Sequence, residues 1–460
     1  MRQRGSSGET SLSEPARTAT TVPPGGDTTG SGPPDRITPE VGYTLGFLTI
    51  ISMFNYLDRS LLGLTIPLIK QDLHLSDTAL GAISGIAFVV VYSLFAIPIA
   101  SLADRSNRRN IVAAGFAFWS AMTALTGQVM NGWQLAIARM LMGAGESASL
   151  APSQSMIADL VSKAKRPMAL SIFTSASALD NVILMPVMAI IADMYGWRAV
   201  YHVAGLAGVV LALLFFVTVK EPQRHGSGEG ETAALTLAKV SMLKALKVLS
   251  RSRAFLAMMA GAAFMGGALT GSGTWGTAFL VRVHGLSISE ICGIVGPARG
   301  ILGALGIVGA GIVAERLGRR DSRWRIWTPA ACCLLFVPGH LMFVLSDVPA
   351  VWISGLVITA LLAVAYQGPM YAAVMNIAQP RMRSVAVAIV VFSTGLLGQV
   401  CGPVVIGYLN DVLHPTLGDE AIRYSLLLVA FCTSAAAVCF IVAARLIEEE
   451  AARPRIDIDD

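Results

Sequence analysis

The sequence predicts an all-α integral membrane protein in which twelve transmembrane helices form two pseudo-symmetric six-helix halves. Three observations support this prediction. Apolar residues make up 54% of the 460 residues and charged residues only 14%, whereas a soluble domain carries about 25% charged residues. Twelve apolar runs are each long enough to cross the ~30 Å hydrocarbon core of a bilayer as a helix. The basic residues also concentrate in alternate loops, as the topology of a membrane protein requires.

The twelve runs, numbered α1 to α12 in chain order, fall into two sets of six. The first set is Tyr43–Ile69, Ala79–Ala103, Ile111–Met130, Trp133–Leu160, Met168–Met194 and Val200–Val219. The second set is Phe255–Val281, Ile291–Ala314, Ile326–Leu345, Val351–Ile377, Val385–Val412 and Ile422–Leu446. These runs predict an N-terminal half at residues 41–219 and a C-terminal half at residues 254–447.

The segments outside the two halves are polar. Residues 1–40 are rich in Ser, Thr, Gly and Pro and lack an apolar core, which predicts a disordered tail rather than a cleavable signal peptide. Residues 220–253 are predicted to form a flexible linker, with a short surface helix around Leu235–Leu249. Residues 448–460 form a second polar tail.

The distribution of basic residues predicts the topology. The alternate loops and the C-terminal tail on the side of the chain termini hold 23 Lys and Arg. The loops on the other side hold four, namely Lys70, Arg198, Arg282 and Arg423. Because positively charged loops stay in the cytoplasm, both termini are predicted to be cytoplasmic.

An internal repeat supports the division into two halves. The loops after α2 and α8 both read small-x-x-x-acid-Arg-x-x-Arg-Arg, and their acids are 211 residues apart. A second spacing is repeated in the two halves: Asp159 lies seven residues before Arg166, and Asn376 lies seven residues before Arg383. The loop residues are Asp104, Arg105, Arg108 and Arg109 in the first copy and Glu315, Arg316, Arg319 and Arg320 in the second.

Both loops resemble the signature Gly-x-x-x-Asp-Arg-x-Gly-Arg-Arg of the major facilitator superfamily, and the resemblance covers nearly all of Tyr43–Leu446. The first copy departs from the signature at Ala100 and Asn107, where the family has glycines. Two further stretches resemble superfamily motifs, namely Arg139-x-x-x-Gly143-x-Gly145 in α4 and Lys220-Glu221-Pro222-Gln-Arg224 after α6.

Three finer matches are similar to the spinster-like branch of this superfamily. They are Asn55–Arg59 in α1, Gly145–Pro152 with Ile157–Asp159 in α4, and Arg316–Trp324 after α8. The first two are also approximated by anion:cation symporters. Animal members of the branch export lysophospholipids or sphingoid phosphates, and bacterial relatives look proton-coupled.

The resemblance implies a secondary active transporter that works by alternating access in the bacterial inner membrane, without a cofactor and most simply as a monomer. The implied solute is a small organic anion or an amphipathic, lipid-like molecule. Two alternatives on the same fold stay open, an organic-anion or sugar-acid:cation symporter and a drug exporter.

Six ionisable residues lie far from any helix end, at Asp58, Arg59, Arg139, Glu146, Asp180 and Arg299. A charge at the centre of a transmembrane helix costs at least ~2.5–3.5 kcal/mol, so such residues face the bundle interior or a water-filled cavity. Three acids and three bases sum to zero, which favours pairing. Their number indicates a polar pathway through the membrane.

The acids of α1 and α4 are candidates for proton coupling. At 1.5 Å per residue, Asp58 and Glu146 lie roughly 17 Å and 20 Å from the same membrane surface, so contact is feasible. We hypothesise that these two acids carry the proton, while Arg59 and Arg139 compete for them or hold an anionic group of the solute. The alternative is a static ion-pair network that only joins helices, although helices in membranes are joined mainly by small and neutral polar residues.

Asp180 in α5 and Arg299 in α8 are predicted to form a salt bridge between the halves. In the superfamily these two helices face each other, and the two residues lie about 20 Å and 23 Å from the termini side. The alternatives are a solute contact by Arg299 alone or a separate partner for each residue. Tyr56 is a weaker candidate for lining the cavity.

The acid–Arg sets on the termini side are predicted to latch the state that is closed toward the cytoplasm. This gate comprises both loop sets named above, together with Asp159 and Arg166.

Other classes of protein are disfavoured. An enzyme needs clustered nucleophiles, bases or metal ligands, and the six histidines are scattered without partners at metal or hydrolase spacing. The basic residues follow topology and form no single patch, so nucleic-acid binding is unsupported. A passive channel or receptor on the same scaffold is disfavoured because acids buried in the membrane indicate coupling. The expected partners are therefore the solute, protons and the lipid bilayer.

Overall fold

The computed structural model describes residues 38–162, 164–223, 247–320, 324–378 and 382–451. Within these ranges the chain is almost entirely helical and contains no strand. All twelve predicted helices are present, which confirms the predicted fold class. The tail at residues 1–37, residues 224–246 of the linker and residues 452–460 lie outside the described residues, and so does nearly all of the predicted surface helix.

Most helices of the N-terminal half are longer than their apolar runs, and several are interrupted. Their bounds are α1 Pro39–Leu73; α2 Asp77–Ala82, a π turn Ile83–Ala87 and Phe88–Arg105; α3 Arg108–Thr126; α4 Gly132–Glu146 and Leu150–Leu160; α5 Arg166–Thr174, Ala176–Leu179 and a π turn Asp180–Leu184. The next stretch, Met185–Thr218, contains the end of α5 and all of α6. Gly196 divides them with a φ of 79° that glycine adopts without strain.

The C-terminal half repeats this plan. Its bounds are α7 Arg253–His284; α8 Ile288–Pro297, a π turn Ala298–Leu302 and Gly303–Arg320; α9 Trp324–Leu345; α10 Pro349–Leu362 and Gln367–Ile377; α11 Arg383–Leu417; α12 Ala421–Ser425 and Leu427–Ala451. The breaks in α4 and α10 fall at equivalent places, after Glu146 and after Leu362. Discontinuous helices of this kind surround the binding sites of many transporters.

Seven stretches of the described helices are long and apolar enough to cross a membrane. Two of them, Arg166–Thr218 and Val385–Ile447, each contain two helices. The helices α1, α3 and α4 lie outside these stretches. Each of these three helices carries a buried charge: Asp58 in α1, Arg108 at the start of α3, and Arg139 and Glu146 in α4. The hydropathy signal is therefore weakest where buried charges lower it. The chain is therefore a multi-pass membrane protein.

We call the end of the bundle that holds the start of α1 and the end of α12 the termini end, and the other the opposite end. The halves meet where α1 packs on α7, α2 on α11 and α5 on α8. Glycines allow two of these contacts to be close. A Cβ atom on Gly85 would lie 2.2 Å from the carbonyl oxygen of Gln399, and one on Gly296 would lie 2.4 Å from that of Asn181. At these two points the backbones of the two halves are in direct contact.

Candidate functional site

A cavity of about 220 Å³ lies between the two halves. Three of the predicted interior arginines open onto it, Arg59 and Arg139 from the N-terminal half and Arg299 from the C-terminal half. The other lining residues are mostly small or neutral polar and include Asn181, Thr270, Thr274 and Gln399. Because the lining combines positive charge with hydroxyl and amide groups, it suits an anionic or strongly polar group.

Glu146 lies directly behind this lining and is bound to α1. Its Oε2 atom accepts hydrogen bonds of 2.9 Å from Nε of Arg59 and 2.9 Å from Nδ2 of Asn55. Asn55 and Arg59 are four residues apart, so both project from one face of α1. The Glu146 side chain is fully buried, whereas that of Arg59 is 29% exposed. Arg59 therefore connects a buried carboxylate to the cavity.

Asp58 points away from the cavity toward α3. Its Oδ1 atom accepts a hydrogen bond of 2.9 Å from the Thr123 hydroxyl. Arg139 donates from Nη1 to the backbone carbonyl of Asp58 over 2.9 Å, and its Nε is buried without a hydrogen-bond partner. The structure thus brings Asp58, Arg59, Arg139 and Glu146 to one turn of α1, although Arg139 binds the backbone of Asp58 rather than its carboxylate.

Two aromatic rings of α2 flank the arginines. The guanidinium of Arg59 lies 5.2 Å from the ring centre of Phe88 and 5.0 Å from that of Tyr92. The guanidinium of Arg139 lies 5.6 Å from the Phe88 ring. Cation–π contacts in a desolvated site stabilise a cation by up to about 2 kcal/mol, so these rings hold both charges at the edge of the cavity.

Two glycines explain how α4 reaches this position. A Cβ atom on Gly143 would lie 2.7 Å from the carbonyl oxygen of Phe88, and one on Gly145 would lie 2.8 Å from Cβ of Trp119. Their absent side chains let α4 approach both α2 and α3. The helix then breaks after Glu146, where Ala148 and Ser149 form shorter-range backbone hydrogen bonds. The carboxylate therefore lies at an interruption near the middle of the membrane.

The predicted salt bridge between Asp180 and Arg299 is wrong for this conformation. Arg299 is open to the cavity near Gly276 of α7, and it lacks a described acid partner within 4 Å. Asp180 is fully buried, and neither of its carboxylate oxygens has a hydrogen-bond partner. The physical reason is that α5 and α8 pack closely through their backbones at Gly296 and Gly300, while Arg299 extends past this contact into the cavity.

Several residues of the site were not predicted to act there. Thr123, which binds Asp58, and the two rings of α2 belong to helices without a charge signal. Asn55 was recognised only as part of a motif. Tyr56 was predicted to line the cavity, but it is half-buried and is not among the lining residues.

The described acid–Arg residues at the termini end are not among the residues that line the cavity. Arg108 is buried and binds Asp159 over 2.5 Å and Glu221 over 2.9 Å. Three other described members form local bonds. Arg166 donates to the carbonyl of Ala158, Arg109 donates its backbone N–H to Glu221, and Arg319 pairs with Glu315 along α8. The side chains of Arg105, Arg316 and Arg320 are exposed. The side chain of Asp104 lies outside the described part of the chain.

The ion pairs that the structure describes for these gate residues each stay within one half. Arg108, Asp159 and Glu221 all belong to the N-terminal half or the residues just after it, and Glu315 and Arg319 belong to one helix. In the described residues, the ion pair that joins the halves is at the opposite end, between Asp77 and Arg282. Among the described ion pairs, the one that fastens the two halves together therefore lies at the opposite end.

The sequence pattern of the Major Facilitator Superfamily matches residues 48–398, which include α1 and α4 with their buried charges. The chain belongs to the Major Facilitator Superfamily. Among its superfamily relatives, an MFS-type efflux pump of Mycolicibacterium smegmatis is 32% identical over 86% of this chain and 91% of its own length. A sphingosine-1-phosphate transporter of Danio rerio is 27% identical over 82% of this chain and 77% of its own length.

A solved structure of the superfamily has the same fold. A bacterial homologue of the human lysosomal transporter Spinster, in an inward-facing and unoccupied conformation, superposes with a TM-score of 0.78. It is 23% identical and covers 91% of this chain and 99% of its own. The predicted resemblance to spinster-like transporters of the Major Facilitator Superfamily is therefore confirmed, and the chain is a transporter rather than an enzyme.

Proposed function

We propose that this protein is a proton-coupled secondary transporter that moves an organic anion or an anionic, lipid-like solute by alternating access. The observation that carries the proposal is the position of Arg59, which lines the cavity and at the same time binds the buried Glu146. A proton on Glu146 and an anion in the cavity both act on this one guanidinium.

The coupling follows from charge competition. While Glu146 is ionised, Arg59 is neutralised by it and attracts an anion weakly. When Glu146 takes up a proton, Arg59 keeps its charge and becomes free to bind an anionic group in the cavity. Asp58 acts in the same direction, because its charge lies beside Arg139. Proton binding and anion binding therefore favour each other, with Arg299 contributing the cation of the C-terminal half.

A static ion-pair network is the competing explanation for these charges. Three features of the site argue against it. Oε1 of Glu146 and Nε of Arg139 are buried without a partner, Arg299 has no described acid partner, and all three arginines open onto one cavity. Ion pairs that only join helices have no reason to leave donors and acceptors unsatisfied, because an unpaired buried polar group destabilises the fold by about 1–3 kcal/mol.

The names of the relatives guide the choice of solute. One relative is called an efflux pump and another a sphingosine-1-phosphate transporter, which supports an amphipathic anion as the solute. The cavity of about 220 Å³ accommodates a compact polar head group, so the apolar part of such a solute would extend between the helices. A drug exporter is the second candidate, since the relative in Mycolicibacterium smegmatis is called an efflux pump.

We also propose that the termini end faces the cytoplasm of a bacterial inner membrane and that the protein acts as a monomer. The support for the orientation is the excess of Lys and Arg in the loops of that end, 23 against four.

A binding screen tests the proposal. Purified protein is heated with a panel of anionic lysolipids, organic acids, sugar acids and cationic drugs, and the melting temperature is recorded. A solute that binds the folded state raises the melting temperature by mass action. We expect anionic amphiphiles, with sphingosine 1-phosphate as the first probe, to stabilise the wild type but not Arg299→Gln. Stabilisation by cations alone, equal in both proteins, would contradict an anion site.

A further inference from the structure

The opposite end of the bundle holds two carboxylates that each bind the start of a helix in the other half. Asp411, at the end of α11, accepts hydrogen bonds from the backbone N–H of Asp77 over 3.0 Å and of Thr78 over 2.8 Å. Asp193, at the end of α5, accepts from the backbone N–H of Ile288 over 3.2 Å and of Ser289 over 2.8 Å. Each carboxylate thus reaches across the interface.

The two arrangements are copies of each other. Ile288 follows Asp77 by 211 positions, the same separation as the acids of the two loop motifs. Asp411 follows Asp193 by 218 positions, close to the 217 between Asp159 and Asn376. The same contact therefore occurs twice around the pseudo-two-fold axis. Two unrelated surface contacts would not show this symmetry.

At each helix start, the free backbone N–H groups donate partly to a serine of the same half and partly to an aspartate of the other half. In α2, Ser76 accepts the hydrogen bond from the N–H of Ala79 over 3.1 Å. In α8, Ser287 accepts from the N–H of Glu290 over 3.3 Å. The aspartate of the other half accepts only from the first two N–H groups of the helix. The serine stays with its helix, so the helix keeps a cap when the aspartate leaves. The aspartate can therefore bind and leave without unwinding of the helix.

One ion pair reinforces the contact on the α2 side. Arg282 of α7 donates two hydrogen bonds to the carboxylate of Asp77, over 2.6 Å and 3.0 Å. Lys70 of α1 lies 2.7 Å from the same carboxylate. The equivalent position in α8 is the apolar Ile288, so this pair has no copy there. When the halves separate, Asp77 keeps Lys70 and loses Arg282.

We propose that Asp193 and Asp411 are exchangeable helix caps that hold the opposite end of the transporter closed. A carboxylate at a helix N-terminus is stabilised by the exposed N–H groups and by the helix dipole. That stabilisation exists only while the halves touch at this end. Both caps break when the cavity opens there, so their charge sets the balance between the two states. The inference rests on the proposed alternating access, but not on the identity of the solute or of the coupled ion.

Distances between spin labels test this proposal without a transport measurement. In a variant that lacks the six native cysteines, labels are attached at Met130→Cys and Val348→Cys, which are exposed in opposite-end loops of the two halves. We expect the short distance to dominate. Asp193→Asn and Asp411→Asn should each increase the ratio of long to short distances about tenfold, the effect of losing one charge-assisted hydrogen bond.

Two further variants make the outcome decisive. Asp72→Asn removes a carboxylate at the same end that binds Arg198 within the N-terminal half. The bond from Arg198 lowers the pKa of Asp72, so this control loses one negative charge, as Asp193→Asn and Asp411→Asn do. It should leave the distances unchanged. Thr78→Val removes only the 2.6 Å hydrogen bond from the Thr78 hydroxyl to Asp411, so it tests the cap even if the aspartate variants fail to fold, and it should shift the distances less far in the same direction. Wild-type distances in Thr78→Val and in every folded aspartate variant would overturn the proposal, as would an equal shift in Asp72→Asn.

Discussion

Replacing Glu146 with glutamine tests the competition for Arg59. The substitution keeps the shape of the side chain and one carbonyl oxygen, but it removes the negative charge from the partner of Arg59 and Asn55. In the wild type, Glu146 is fully buried and accepts two hydrogen bonds of 2.9 Å. The variant imitates the protonated acid, so Arg59 should be available to an anion at every pH.

The size of the effect follows from the bond that is weakened. A hydrogen bond to a charged group contributes about 1.5–3 kcal/mol, and a neutral one about 0.5–1.5 kcal/mol. Glutamine retains one neutral bond, so an anion no longer has to displace an interaction that is stronger by about 1.4 kcal/mol. This difference corresponds to a roughly tenfold tighter dissociation constant.

The assay is a titration of purified protein with sphingosine 1-phosphate at mildly acidic and at mildly alkaline pH. The wild type should bind less tightly at alkaline pH, where Glu146 is ionised. Glu146→Gln should bind about tenfold more tightly than the wild type at alkaline pH and should depend less on pH. Glu40→Gln, which removes an exposed carboxylate in the first turn of α1, serves as the control and should match the wild type.

Two results would refute this reasoning. Unchanged or weaker binding by Glu146→Gln, with the wild-type pH dependence, would show that Glu146 does not compete for Arg59. Equal tightening in Glu40→Gln would show that any lost negative charge has the same effect, so the contact between Arg59 and Glu146 would be irrelevant.

Three further substitutions have definite expected outcomes. Arg299→Gln should weaken binding of sphingosine 1-phosphate at least tenfold, because it removes one charge-assisted bond of about 1.5–3 kcal/mol; unchanged affinity in the titration would exclude a contact with the solute. Gly143→Ala should lower the melting temperature and reduce the free energy of unfolding by about 1–3 kcal/mol, because its Cβ would lie 2.7 Å from the carbonyl oxygen of Phe88. An unchanged melting temperature would show that α4 can move away from α2 without loss of stability. Arg108→Ala should destabilise by about 3 kcal/mol, since it leaves two carboxylates without their buried partner, whereas the exposed Arg319→Ala should have little effect; equal melting temperatures for the two variants would contradict this.

The number and order of the helices could be predicted because a bilayer imposes a fixed length of apolar chain. Even the division between α5 and α6 was predicted, where Gly196 interrupts a helical stretch that runs on from Met185 to Thr218. The interruptions within helices were not. The π turns in α2, α5 and α8 fall where the halves pack closely, and a hydropathy pattern does not report such local changes of backbone hydrogen bonding.

The candidate site could be predicted in part. A charge in the membrane is conspicuous, so Arg59, Arg139, Glu146 and Arg299 stood out in the sequence. In the structure the three arginines line one cavity and Glu146 lies behind it, bound to Arg59. Their partners were less predictable, because they depend on which faces of different helices meet. Thr123 was missed for this reason.

The Asp180–Arg299 pair was mispredicted for the same reason. Matching depth in the membrane allowed the pair, but depth does not determine the direction in which each side chain points.

The two capping aspartates at the opposite end were also not predicted from the sequence. Asp193 and Asp411 lie near helix ends, where a charge is ordinary. Their role depends on the backbone N–H groups of α2 and α8, which carry no residue signature. Only the combination of hydrogen bonds across the interface with the 218-residue repeat distinguishes them from solvated surface charges.

Transport driven by a pH gradient tests the central claim most directly. Proteoliposomes that contain the wild type, Asp58→Asn or Glu146→Gln receive sphingosine 1-phosphate under an imposed gradient, with an uncoupler as the control. We expect the wild type to accumulate the solute against its gradient and to stop when the uncoupler is added, while both variants only equilibrate it. Full gradient-driven accumulation in Asp58→Asn and in Glu146→Gln would contradict proton coupling through these two acids.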